Sequence, residues 1–90
     1  MSEFKLQNYM EEVVEKKLDE LMKTRDDVCN CEHCRKDIMA LALNELPPKY
    51  IVTEKGEIYS KIYSLFVQFS TDVTAAITKA IEKVNESPRH

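Results

Sequence analysis

Residues Cys29 to Tyr50 read CNCEHCRKDIMALALNELPPKY, and no other stretch restricts the fold as strongly. It carries all three cysteines and the only Pro-Pro pair of the chain. Pro47 disfavours helical geometry at Leu46, and neither Pro47 nor Pro48 has an N–H to donate. The pattern therefore predicts a helix from about Glu32 to Leu46, entered through a cysteine-rich turn at Asp26 to Asn30. At ~100° per residue, Cys34, Ile38, Leu41 and Glu45 share one side, and Arg35, Met39, Ala42 and Leu46 the other. Two apolar sides predict a central, two-faced helix. Asp37 and Asn44 fall on a third line beside the small Ala40, where a ligand could come close.

The flanks contain little that breaks a helix. There is one Gly, and Pro88 is the only other proline. Together with many Glu, Lys, Leu, Val and Ile, this predicts an all-α fold of three to four helices in a single domain, 1–90. Ser2 is expected to cap a first helix with Glu3 in its first turn. Leu6, Tyr9, Met10, Val13, Val14, Leu18, Leu21 and Met22 follow at helical spacing, and the helix is expected to end near Arg25. Lys49 to Val52 reads as a short extended piece. Thr53 is then expected to cap a third helix, with Glu54 and Glu57 in its first turn.

Ile58, Ile62, Leu65, Phe69, Val73, Ala76, Ala80 and Val84 continue at steps of three and four. Ile62 to Phe69 is apolar nearly all round, which predicts burial on several sides. Unbroken to Asn85, this helix would span roughly 50 Å, against a radius of gyration of ~12 Å for a compact chain of this size. It is therefore expected to break near Ser70-Thr71-Asp72, to lie against a second subunit, or both. Ser87 to His90 reads as a loose tail.

Ninety residues bury only about 60–65% of their unfolded surface, so a metal, a disulfide or a second subunit is needed as a staple. The net charge of −3 argues against binding a nucleic-acid polymer, whose phosphates demand cations. No apolar run approaches the ~20 residues of a membrane span, and the N-terminus lacks a signal-peptide pattern. A cytoplasmic location is expected, where thiols stay reduced. An odd number of closely spaced cysteines then reads as a thiolate cluster rather than a disulfide framework.

Cys29, Cys31 and Cys34 form C-x-C-x-x-C, a soft donor set suited to Zn²⁺, which takes four ligands in a tetrahedron. A turn running into a helix N-terminus can aim three sulfurs at one point, and the helix dipole is expected to lower thiol pKa. The fourth ligand stays open between His33 (if the helix starts later), His90, a partner chain and water. A structural zinc leads over metal-free thiols, a catalytic zinc and a redox or iron–sulfur role. No general base stands beside the cluster, and no Gly-rich phosphate loop or H-E-x-x-H occurs, so no enzyme is expected.

NYMEEVVEKKLDEL, a loop, and then CRKDIMALALNELPPKYIVTEKGEIY resemble the late competence development protein ComFB family from about Asn8 onward. The segment from Asp37-Ile38 through Ala42-Leu43-Asn44-Glu45-Leu46-Pro47-Pro48-Lys49-Tyr50 is the most specific part. The likeness is close enough to suggest the family's name-giving protein itself. It implies a small helical homodimer with a cysteine-bound zinc, and a receptor for cyclic di-GMP coupled to motility and competence. On chemical grounds Arg35 suits a guanine Hoogsteen edge, Asp37 a Watson–Crick edge, and Asn44 either. Tyr50 can stack on a base, and Lys36 or Lys49 can meet a phosphate. The competing expectation is a dimeric adaptor for an unidentified protein partner that binds no nucleotide.

Overall fold

The computed structural model describes residues 4–54 and 58–86, without the side chains of Lys5, Thr53 and 58–62. In chain order the elements are β1 (Phe4–Asn8), α1 (Met10–Met22), α2 (Glu32–Glu45), β2 (Tyr50–Glu54), α3 (Ile58–Gln68) and α4 (Ser70–Glu86). Helix dominates, as the scarcity of breakers predicts. A two-stranded antiparallel sheet, β1 with β2, is added to it. Ser2 and Glu3, expected at a helix start, Glu57, expected in a first turn, and the expected tail Ser87 to His90 lie outside the described residues.

The start of the first helix is corrected. Leu6 sits in β1, and α1 begins only at Met10. Phe4-Lys5-Leu6-Gln7 alternates apolar and polar, the period of a strand, and β2 supplies the partner that makes the extended form stable. Asn8 fixes the change of direction. Its Oδ1 accepts the Met10 N–H at 3.2 Å and the Lys49 N–H at 2.8 Å. The Tyr9 N–H donates to the Lys49 carbonyl at 2.9 Å. The two strand ends are thereby tied to the start of α1. At its other end α1 stops at Met22, short of Arg25, whose guanidinium binds Asp27 instead at 2.7 and 3.0 Å.

Helix α2 keeps the expected bounds, and Leu46 before the prolines is extended (φ −111°, ψ 146°). Its faces need one correction. Cys34, Ile38 and Ala42 form the buried stripe, while Leu41 is exposed. The i, i+4 row winds slowly round the helix and carries Ala42 onto the core side. There it joins Met10, Val13, Val14 and Leu18 of α1 and Val73, Ala76, Ile77, Ala80, Ile81 and Val84 of α4. Small Ala42, Ala76 and Ala80 let α2 and α4 approach closely, and α2 packs on both α4 and α1.

Thr53 lies in β2 rather than capping a helix, because Tyr50-Ile51-Val52-Thr53 is rich in strand formers and has β1 to pair with. The break between α3 and α4 falls at Phe69, beside the expected Ser70. Hydrogen bonds still cross it, from the Phe69 N–H to Leu65 and from the Val73 N–H to Phe69, each at 2.9 Å. The molecule is 43 Å long, about the length of a helix running from Ile58 to Glu86 at 1.5 Å per residue. Helix α3 thus extends away from α4 and rests on α1. In the single chain, residues 63–69 are not buried on several sides. Leu65 and Phe66 are half-buried, but Tyr63 and Val67 are 66% and 58% exposed, because α1 covers a single flank.

Candidate metal centre

The sulfurs of Cys29, Cys31 and Cys34 all lie within 4.8 Å of one another. A tetrahedral zinc with Zn–S near 2.3 Å needs sulfurs about 3.7 Å apart, so a small inward movement would close the set on an ion. Local structure explains the convergence. Cys31 is the extended N-cap of α2 (φ −77°, ψ 159°), and its Sγ accepts the Cys34 N–H at 3.4 Å. Cys34, one turn into α2, is buried against the core, whereas Cys29 and Cys31 are exposed on the loop. None of the three is in a disulfide. The donor set is soft, compact and anchored at one end, which fits Zn²⁺.

The electrostatics correct one expectation. Burial, followed by hydrogen bonds to Cys31 and Cys29, pushes the Cys34 thiol up to about 12. Desolvation outweighs the helix dipole here, so Cys34 carries its proton at neutral pH and must release it to a metal. Among the described residues no His, Asp or Glu joins the three sulfurs. His33 turns away from them, with its Nε2 3.8 Å from Asp37 Oδ2 one turn along α2.

The loop carrying the cysteines is tied to α2 and α4, and α2 in turn to α1. Arg35 Nη2 lies 2.6 Å from Asp19 Oδ1 on α1, and its Nη1 donates to Asn30 Oδ1 at 3.3 Å. Asn85 Nδ2 on α4 donates to the Asp27 carbonyl at 3.1 Å. Sequence reasoning missed Asp19 and Asn85 as supports of this loop, because their partners lie 16 and 58 positions away.

The residues expected to contact a nucleotide divide into two groups. Arg35, Lys36 and Asp37 stand on the first turns of α2, next to the cysteines. Asn44 is exposed near its last turn, with Lys49 and Tyr50 beyond it. Arg35 and Asn44 are separated by about 13 Å of helical rise. Lys36 points to solvent, and Asp37 is half-buried. Lys49 holds its backbone bonds to Asn8 and Tyr9 and places Nζ 5.1 Å from the centre of the Phe69 ring. Tyr50 is exposed on the sheet. A cavity of about 410 Å³ opens nearby between Glu45, Leu46 and Pro47 of the α2 end and Asp72, Ala76 and Lys79 of α4. None of the six lines it, and only Asn44 adjoins its rim in sequence.

The chain matches the family described as "Late competence development protein ComFB" over residues 7–88. It is 31% identical over 83 residues to the "Competence protein ComFB" of Bacillus subtilis (strain 168), spanning 92% of this chain and 85% of that protein. At that identity it is a relative of the Bacillus protein and not that protein itself. The solved structure of the late competence protein ComFB from Bacillus subtilis superposes with a TM-score of 0.74 at 28% identity. The match covers 94% of this chain and 96% of that one. The family match over residues 7–88 and the identity to the Bacillus protein show that the chain belongs to the ComFB family.

Proposed function

We propose that the chain is a single-domain, zinc-stapled homodimer of the cytoplasm that works as a receptor for cyclic di-GMP in competence and motility control, without enzymatic activity. The observation that carries the zinc part is the convergence of three sulfurs within 4.8 Å at the entry to α2. Cys29, Cys31 and Cys34 would hold the ion, and zinc when bound supplies a cross-link between the loop and the core helix. Cys34 is buried against the core, which supports a structural role for the ion over a catalytic one. No helix among the described residues is long and apolar enough to cross a membrane.

The nucleotide part rests on the family resemblance and on the polar line of α2. Asp37 and Asn44 suit the edges of guanine, and Lys36 and Lys49 the phosphates. Arg35 would have to leave Asp19 to reach a base, so its contribution is the smaller one. The two groups of residues sit at opposite ends of α2. A twofold dimer offers each group twice to a ligand that is itself twofold symmetric. The adaptor reading has one observation in its favour, the exposed Tyr63 and Val67 on α3.

Calorimetric titration with cyclic di-GMP tests the proposal. Asp37→Ala and Asn44→Ala are each expected to weaken binding roughly 5- to 150-fold, the range of a single base-edge contact. Zinc content and melting temperature should be unchanged. No heat with the wild-type protein would leave the adaptor reading. Binding that survives both substitutions would move the site elsewhere.

A further inference from the structure

The ribbon of β1 and β2 has its apolar face outward. Opposed residues of an antiparallel pair point to the same side, and next-but-one residues join them. The register Phe4↔Glu54, Leu6↔Val52, Asn8↔Tyr50 therefore gathers Phe4, Leu6, Val52 and Tyr50 on one face. They are 62%, 69%, 60% and 66% exposed. The opposite face presents Gln7 and Ile51, both half-buried, and hides Gln7 Oε1 without a hydrogen-bond partner. One-sided antiparallel sheets ordinarily place apolar residues inward and polar ones outward.

We propose that this face packs against the same face of a second copy of the chain. The inference rests on the dimeric reading above and assigns the contact within it. Symmetry of the face selects the occupant. A twofold axis normal to the ribbon, through the middle of the Leu6–Val52 pair, exchanges Phe4 with Tyr50 and Asn8 with Glu54. Aromatic residues thus hold one diagonal, polar residues the other, and aliphatic residues the centre. Two such faces related by a twofold in the plane between them, perpendicular to the Phe4–Tyr50 diagonal, set the Phe4 of one copy over the Tyr50 of the other, an isologous arrangement. Leu6 and Val52 then meet in the middle.

Size and charge agree with that choice. The four side chains expose on the order of 400 Å², enough for the apolar centre of an interface that buries ~800 Å² per partner. None of the four is cationic, and the chain carries a net charge of −3, a poor match to an anionic lipid surface.

The sequence contains no tryptophan, so Val52→Trp reports on this face alone. At concentrations where light scattering finds a dimer, its emission should be blue-shifted, and it should move to the red as dilution dissociates the pair. Leu6→Glu sets a carboxylate against its own copy and should weaken the dimer about 30-fold or more, as loss of an interface anchor does. Its helical circular dichroism should not change. If Leu6→Glu does not fold, the tryptophan variant decides alone. A wild-type particle of 10.5 kDa at micromolar concentration would overturn both the dimeric reading and this contact. A stable dimer whose indole stays solvent-exposed would overturn the contact only. Blue-shifted emission that appears only on adding anionic vesicles would replace the second copy with a lipid surface.

Discussion

The two ends of α2 are closed by different means. At the cysteine end, polar side chains bind the loop to the chain's own helices, Asn30 to Arg35 of α2 and the Asp27 carbonyl to Asn85 of α4, while Arg25 to Asp27 braces the loop itself and Arg35 to Asp19 joins α2 to α1. At the Pro-Pro end, Asn8 and Tyr9 hold Lys49, and the chain then opens into a ribbon with four apolar side chains toward solvent. A core this small needs help beyond its own burial. On the two proposals above, one end would receive it from a metal and the other from a second copy, so a disturbance at one end should leave the other's remedy in place.

The largest effect should come from the metal. Removing zinc with a chelator is expected to destabilise the wild-type protein by several kcal/mol, because such sites fold with their metal. Cys34→Ala should show the loss already and be indifferent to the chelator. Thermal melts of both proteins, with and without chelator, measure it, and a wild type unaffected by chelation would break the contrast between the ends.

A smaller difference separates the core from α3. Ile38→Ala, in the fully buried stripe of α2, should cost about 2–4 kcal/mol in urea unfolding. Val67→Ala on α3 should cost less than ~0.5 kcal/mol if that residue stays as exposed in solution as in the single chain. Equal costs would mean that a second copy covers α3 as well as the ribbon.

The smallest effect is a pH dependence at the cysteine loop. The Arg25 hydrogen bond holds the Asp27 carboxyl below its ordinary value of 3.8. A depressed folded-state pKa contributes stability above the unfolded value and loses it as pH falls through the folded one. Arg25→Ala should therefore be slightly less stable than wild type above about pH 4, and the two curves should converge below it. Because the pair is exposed, solvent screening keeps the gap small. A gap that widens on acidification would remove this pair from the loop's supports.

The bounds of α2 and the cysteine cluster were legible because their signals are local. The prolines at 47 and 48 stop α2 by their own chemistry, the three cysteines fall within six positions, and a run too long for the domain points to a break near Ser70. The ribbon was not legible for the opposite reason. Leu6, Tyr9, Met10 and Val13 fit a helical period as well as Phe4-Lys5-Leu6-Gln7 fits a strand, and only the distant partner Tyr50–Glu54 decides between them. Thr53-Glu54 has the composition of a helix cap until that pairing is known. The outward aim of Phe4, Leu6, Tyr50 and Val52 depends on register, since a slip of one residue would turn them all inward.

The hydrogen bond from the Lys49 N–H to Asn8 spans 41 positions, and that separation orders events in time. Closing so long a loop loses more chain entropy than forming the adjacent α1–α2 pair. The helices should therefore dock first and bring the strand ends together, with the ladder zipping last. In pulsed hydrogen exchange during refolding, the Leu6 and Val52 amides should gain protection after those of Val14 and Ile38. On a ribosome, β1 emerges before two helices and the whole cysteine loop, and has to wait for its partner strand. Leu6 thus meets water before its partner strand exists, and folding of the single chain leaves it 69% exposed.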